Sequence, residues 1–345
     1  MRIGIVFGTR PEYLKVKPLF TTFTAAQIEF RILHVFQHKD LEIEERDSAN
    51  YIAVQLPSVP GSSRLVELSS SLPQALESAI EPCSHILVQG DTATAFFAAL
   101  TAFHLKLPVI HLEAGLRTYD LQNPFPEEAY RSMISRIATY HLCPDEAAKR
   151  NLKKEEIHEN LFVVGNTILD LVKSYTMTRF CGTIVPITIH RRENWESLPA
   201  IVKAVHTLAL WRPDLDFVWI YHPNPALQTV VNDTLKTLEV PSNMWCEQPC
   251  SHKQLCKYIH EAYCLITDSG GIQEEASFVG KFCYVLRKTT ERSSIPSLYL
   301  TTITTPEELV PEFKKRQMTL LPSCTVYGTG NSSEQIATIL KNLNQ

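Results

Sequence analysis

Three acids occupy positions from which proton chemistry could be done. Asp91 and Glu113 each follow an apolar run, HILVQG at 85–90 and LPVIHL at 107–112, and Glu127 follows the turn Pro124-Phe125-Pro126. Carboxylates gathered in a closed cleft raise one another's pKa values, which suits taking a proton from carbon and returning it. Each also has a plainer reading. Asp91 can cap a helix, and Glu127, with Glu128 beside it, can be a first-turn acid facing the helix dipole. Capping explains Glu113 less well, because Gly115 rather than a helix follows it.

A second group has the composition of a phosphate and ribose site. Ser269-Gly270-Gly271 lies between a strand ending at Asp268 and a helix beginning near Ile272, where glycines admit close backbone approach and free N–H groups face an anion. A plain strand-to-helix turn is the competing reading. Glu275, one turn into that helix, can accept hydrogen bonds from two ribose hydroxyls, whereas its neighbour Glu274 can equally be solvated. Arg10 and Lys15 bracket the first loop and helix and can turn toward a diphosphate or remain surface charges. His190, before Arg191 and Arg192, can polarise a leaving phosphate or transfer a proton, or be structural; His222 in YHPNP is a weaker candidate of the same kind.

These residues need a scaffold that presents strand ends. Short β-branched runs at 2–7, 31–36, 85–90, 107–112 and 161–164 alternate with helical stretches at 11–25, 92–105 and 127–137, the pattern of a buried parallel sheet. The alternation restarts after Gly165 with runs at 183–190, 216–221, 263–268 and 282–286, separated by helical stretches near 196–211, 225–237, 251–261 and 271–279. The expectation is α/β: two Rossmann-like domains with parallel sheets, an N-terminal one at 1–170 carrying the carboxylates and a C-terminal one at 171–330. A last helix at 331–345 is expected to pack back on the first domain. Open parallel sheets bind ligands beyond their strands' carboxyl ends, where the candidate residues lie.

Composition is consistent with this and removes other classes. A chain of 345 residues with 44% hydrophobic and 20% charged residues is an ordinary globular protein of about two domains. A net charge of -4 without a Lys/Arg-rich run argues against nucleic acid, and no apolar stretch reaches transmembrane length. No membrane partner and a cytoplasmic location are expected, with reduced thiols for the nine cysteines. Cys246, Cys250, His252 and Cys256 form a dense patch without paired CxxC knuckles, so buried or incidental thiols are preferred there over zinc.

Taken in order, GTRPE at 8–12, QGDTATA at 89–95, HLEAGLRT at 111–118, PFPEE at 124–128, VGNTILD at 164–170, HRREN at 190–194, DSGGIQEEA at 268–276 and LRKTTER at 286–292 resemble the non-hydrolysing UDP-N-acetylglucosamine 2-epimerases. The resemblance implies a glycosyltransferase GT-B type fold with its active site in an interdomain cleft, and a homodimer. It implies reversible epimerisation at C2 of UDP-N-acetylglucosamine to UDP-N-acetylmannosamine, through elimination of UDP to 2-acetamidoglucal and its re-addition. It assigns Asp91, Glu113 and Glu127 as acid–base carboxylates and His190 to departure of UDP. Arg10 and Lys15 fall to the sugar-phosphate region, and Ser269, Gly270, Gly271 and Glu275 to UDP. Arg117, Arg131, Glu291 and Arg292 complete the cleft. Because UDP is released and recaptured in place, no redox or metal cofactor is implied.

Three departures bear on substrate and regulation. The stretch from Gln37 to Arg64 is short and lacks the family's acidic segment, which places allosteric UDP-N-acetylglucosamine binding in question; TTERSS and YHPNP depart from the family's forms. The alternatives are a 2-epimerase of a related UDP-sugar such as UDP-2,3-diacetamido-glucuronic acid, a hydrolysing variant, a GT-B glycosyltransferase, or a silent nucleotide-sugar sensor.

Overall fold

The computed structural model describes residues 1–37, 43–56, 63–288 and 291–343. The chain divides into two units, Met1–Leu171 with Tyr327–Gln345, and Val172–Val326. The strands of the first are β1 (Arg2–Phe7), β2 (Glu29–Val35), β3 (Tyr51–Val54), β4 (His85–Gln89), β5 (Val109–Leu112), β6 (Tyr140–Cys143) and β7 (Leu161–Val163). Among the described residues they form one sheet in the order β3-β2-β1-β4-β5-β6-β7, every pairing parallel. The helices are α1 (Arg10–Ala25), α2 (Arg64–Ile80), α3 (Ala93–His104), α4 (Glu127–Ile137), α5 (Glu146–Lys154) and α6 (Ile168–Ser174), the last spanning the division at Leu171 and Val172.

Alternation along β1 explains why this sheet is covered on both faces. Ile3, Ile5 and Phe7 enter one core with Val16, Leu19 and Phe23 of α1, whereas Val6 enters another with Leu68, Leu72 and Leu76 of α2 and Val88 of β4. A strand buried on both sides reads as a continuous apolar run, the signal carried by RIGIVF. The first of these cores also takes Ile336 and Leu340, from the helix at Ser332–Asn342 that ends the described chain. Asp170 accepts the backbone N–H groups of Ser332 and Ser333 at 2.9 and 2.7 Å, capping that helix.

In the second unit β8 (Ile184–Thr188), β9 (Asp216–Ile220), β10 (Met244–Glu247), β11 (Leu265–Thr267), β12 (Cys283–Leu286) and β13 (Leu300–Ile303) form a parallel sheet, ordered β10-β9-β8-β11-β12-β13 among the described residues. Its helices are α7 (Leu198–Trp211), α8 (Pro225–Leu235), α9 (His252–Glu261), α10 (Gly270–Val279) and α11 (Pro306–Lys314); the terminal helix of the first unit is α12. Val185, Ile187, Phe217 and Trp219 fill one face and Leu265, Cys283 and Val285 the other.

The expected two α/β domains with parallel sheets are present. In each the strand order reverses at one point, between β1 and β4 and between β8 and β11. Loops leaving the sheet on either side of such a reversal diverge and open a crevice. No described helix is long and apolar enough to cross a membrane. Of the short stretch between Gln37 and Arg64, residues 38–42 and 57–62 lie outside the described residues, as do 289 and 290 of the LRKTTER motif.

Candidate active site

At the β1/β4 reversal the first loop begins with Gly8 and Thr9. Glu12 accepts the N–H groups of Gly8 and Thr9 at 3.0 and 2.8 Å and the Thr92 hydroxyl at 2.5 Å, tying the loop after β1 to the loop after β4. Burial pushes the Glu12 carboxyl up, with these hydrogen bonds opposing it. This bracing sets α1 so that Lys15 projects to Glu113, Nζ to Oε2 at 2.5 Å, while Arg10 stands exposed at the helix start.

Glu113 leaves β5 with φ at 69° and is buried. Besides Lys15, Gln89 Nε2 donates to it at 2.5 Å and Asn166 Nδ2 at 3.2 Å. Three elements therefore hold one carboxylate, and a Cβ built on Gly90 would stand 3.6 Å from its Oε2. Asp91, the next residue, is ion-paired to Arg131 of α4. The chain enters α4 through cis bonds at Asn123–Pro124 and Phe125–Pro126, and Glu127 is the first helical residue. Glu127 precedes Arg131 by four residues, so both lie on the face of α4 that meets Asp91.

Its neighbour Glu128 has a different task. It is buried, accepts the N–H groups of Thr118 and Tyr119 at 3.0 and 2.9 Å, and pairs with Arg131 at 3.2 Å. Glu128 thus braces the 118–119 turn from the start of α4. The Arg117 side chain is 1% exposed and bonded to Glu155 at 2.6 and 2.8 Å and to Ser135 at 2.9 Å, which ties it to α4 and to the end of α5. The β1/β4 reversal thus interleaves carboxylates with cations: Glu113 with Lys15, Asp91 with Arg131.

At the β8/β11 reversal stands a residue the sequence reading passed over. Asp268 is fully buried and accepts the N–H groups of His190 and Arg191 at 3.0 and 2.9 Å and Asn194 Nδ2 at 2.9 Å. Its carboxylate is also 3.0 Å from His190 Nδ1. Burial raises its carboxyl, but the bond and charge of His190, then Arg191 and Asn194, bring it below its ordinary value. Asp268 therefore orients the His190 ring, which stacks on His222 with centroids 5.7 Å apart. An acid directly after a buried strand and before Ser-Gly-Gly was the signal available for it.

Ser269 caps α10, and Gly270 and Gly271 open that helix. A Cβ on Gly270 would stand 3.2 Å from Glu291 Oε1 and 3.4 Å from Arg292 Cζ, so the turn runs directly over an ion network. Within it Arg292 pairs with Glu274 at 2.6 Å and with Glu291 at 2.8 Å, and Glu291 also meets Arg287 at 2.8 Å. Burial raises the Glu291 carboxyl, but the charges of Arg292, Arg287 and Arg191 outweigh it and hold the group well below the usual carboxylate range. Glu275 is buried on the other side of α10, with Oε2 3.0 Å from His252 Nε2. The β1/β4 reversal thus presents acids at strand ends paired to cations of α1 and α4; the β8/β11 reversal presents a histidine on an orienting acid beside a Gly-rich helix start.

Similarity to known proteins converges on one family. A family profile described as UDP-N-acetylglucosamine 2-epimerase matches residues 24–341. The UDP-N-acetylglucosamine 2-epimerase of Neisseria meningitidis serogroup A is 31% identical, the alignment covering 99% of this chain and 100% of that one. The enzyme of that name from Salmonella borreze is 34% identical over 85% of this chain and 83% of its own. Among solved structures, UDP-GlcNAc 2-epimerase from Neisseria meningitidis bound to UDP-GlcNAc superposes with a TM-score of 0.87 at 30% identity, covering 99% of this chain and 100% of that one. The Methanocaldococcus jannaschii enzyme in complex with UDP-GlcNAc and UDP gives 0.82 at 27% identity, covering 99% and 100% of the two chains. The chain belongs to the UDP-N-acetylglucosamine 2-epimerase family.

Proposed function

We propose that this protein interconverts UDP-N-acetylglucosamine and UDP-N-acetylmannosamine. The observation that carries the reading is the pair of strand-order reversals. One is lined by Asp91 and Glu113 with their cations; the other by His190 on Asp268 and the Ser269–Gly271 turn. Relatives solved with UDP-GlcNAc, and with UDP-GlcNAc and UDP, support a UDP-sugar as the ligand.

The α10 start and its N–H groups take the UDP phosphates. Glu275 takes the ribose hydroxyls, and the cations Arg10, Lys15 and Arg292, the last paired to Glu291, surround the anionic part of the ligand. One carboxylate of Asp91, Glu113 and Glu127 removes the C2 proton as the C1–O bond breaks. The C–H electron pair becomes the C1–C2 double bond, and the C1–O pair leaves with UDP, assisted by His190. Returning a proton to the opposite face of C2 while the UDP oxygen rejoins C1 gives the epimer. Atoms and electrons balance without an oxidant or a metal. A homodimer in the cytoplasm is proposed with this reading.

Incubation with UDP-N-acetylglucosamine in heavy water tests it. The expected result is deuterium at C2 of both epimers, with UDP held during turnover. Recovered sugar nucleotide without C2 deuterium overturns it, and free N-acetylmannosamine with UDP as the only products would mark hydrolysis instead. Sedimentation velocity reads the dimer.

A further inference from the structure

Glu275 is held by more than a ribose site requires. Its Oε2 lies 3.0 Å from His252 Nε2 and 3.7 Å from Cys256 Sγ, and that sulfur lies 3.7 Å from the same histidine nitrogen. All three side chains are buried, and their donor atoms fall within 4.8 Å of one another. The arrangement is built in by the fold. His252 and Cys256 are four residues apart on α9, hence on one face, and α9 packs against α10, which carries Glu275. Tyr175 Oη is 3.2 Å from His252 Nδ1, which leaves Nε2 toward Glu275, while the Cys256 sulfur lies nearly as close to Nδ1, at 3.8 Å, as to Nε2.

A His–Glu hydrogen bond beside a packed cysteine is the plainer account, since Cys256 also belongs to an apolar core with Ile259 and Leu265. The mutual distances go further than that account needs. Tetrahedral ligands about 2.0–2.3 Å from Zn2+ stand roughly 3.3–3.7 Å apart. The two distances to sulfur already match, and the His–Glu pair needs to open by only a few tenths of an ångström. Of the other sulfurs in this patch, Cys246 is engaged with Tyr221.

We propose that His252, Cys256 and Glu275 form a binding site for a borderline-soft divalent cation of the Zn2+ type, and that this cation competes with ribose for Glu275. The competition rests on the assignment of Glu275 to ribose made above; the cation site does not. On binding, the Cys256 thiol gives its proton to solvent and the metal–sulfur bond replaces the S–H bond. An occupied site would withdraw one UDP ligand, so metal would act as an inhibitor.

The test uses the full chain, stripped with chelator under reducing agent and titrated with Co2+ and with Zn2+. One equivalent per chain and a thiolate-to-cobalt charge-transfer band are expected. Both should vanish in Cys256→Val and His252→Phe and persist in Cys181→Ser, which removes the exposed thiol. Tyr175→Phe should weaken uptake by roughly 10- to 100-fold. Thermal melting checks that the variants fold, and Cys256→Ser substitutes if the valine variant does not. No thiolate band in the parent protein, or an unchanged band in a folded Cys256 variant, overturns the site. UDP titration with and without Zn2+ then separates the two halves. Weaker UDP binding in the parent but not in Cys256→Ser supports competition; equal UDP affinity with metal bound overturns it. If Glu275→Gln leaves UDP affinity intact, the ribose assignment fails while the cation site stands on its own data.

Discussion

At the residue scale, three of the groups proposed to handle protons each have a fixing partner: Asp91 has Arg131, Glu113 has Lys15 and His190 has Asp268. Exchange of Asp91, Glu113 or Glu127 for the amide is expected to lower kcat by roughly 10²- to 10⁴-fold, the usual share of a general acid or base. UDP affinity should change little, because the phosphate and ribose residues are untouched. Isothermal titration alongside turnover checks this, and full turnover by any of the three would remove that acid from the chemistry. Asp268 acts through His190, so its loss should not add to that of the histidine. Asp268→Asn is expected to reduce kcat about 10-fold or more, an orienting acid being the element that sets a histidine's tautomer. The double variant with His190→Ala should be no slower than His190→Ala alone; additive losses would separate the two residues. The acids at strand ends were legible because an ionisable residue directly after an apolar run is conspicuous. The partners of Arg117 and the role of Asp268 were not legible, for one reason: linear sequence does not say which charge meets which. Only the fold brings Glu155 to Arg117 and His190 to Asp268.

At the element scale, site geometry depends on turns that tolerate few side chains. Gly115 has φ at 90°, and a Cβ there would lie 2.3 Å from the Ala148 carbonyl oxygen, which is backbone and cannot swing aside. This turn follows Glu113. Gly115→Ala is expected to cost about 2–4 kcal/mol, combining left-handed strain with overpacking. Urea unfolding reads the loss, and a change under about 0.5 kcal/mol would contradict the close approach. Gly115 also shows why this turn was readable: a glycine after Glu113 argued against a helix there. Other elements were less readable. Long apolar strands such as β1 and β4 announce themselves, but β3 (YIAV), β10 (MWCE) and β13 (LTTI) have four residues each and lie at sheet edges, with one or no fully buried side chain. β6 is interior yet reads YHLC, because its His141 is buried within the sheet. Helix α2 carries Pro73 in its interior, which interrupts the pattern that would have marked it.

At the scale of the whole molecule, titratable groups are unevenly divided. His34, His111 and His141 are all buried in the first unit, and burial lowers them to about 4, 3 and 4 respectively. A base whose folded pKa is depressed contributes stability that is present above its unfolded value near 6.5 and is lost as pH falls from there toward the folded value. Each costs the first unit about 1.4 kcal/mol per pH unit below 6.5 until its folded pKa is reached. Burial lowers His85 as well, and Glu12, raised by burial, works in the opposite direction, one group against four. In the second unit one histidine, His222, is lowered in the same sense by burial, and the lowered acids Asp268 and Glu291 lose their contribution only as pH falls below the ordinary carboxylate range. All four tryptophans, Trp195, Trp211, Trp219 and Trp245, lie in the second unit. Tryptophan fluorescence therefore reports that unit alone, while far-ultraviolet circular dichroism reports the helices of both. Between pH 7.5 and pH 5 the first unit should lose a few kcal/mol, enough to lower its midpoint by about 5–10 °C. Thermal melts at pH 5 are then expected to show the dichroism signal falling ahead of the fluorescence, with the gap closing toward pH 7.5. Superimposed curves at pH 5, or fluorescence falling first, would mean that the buried histidines do not govern acid stability.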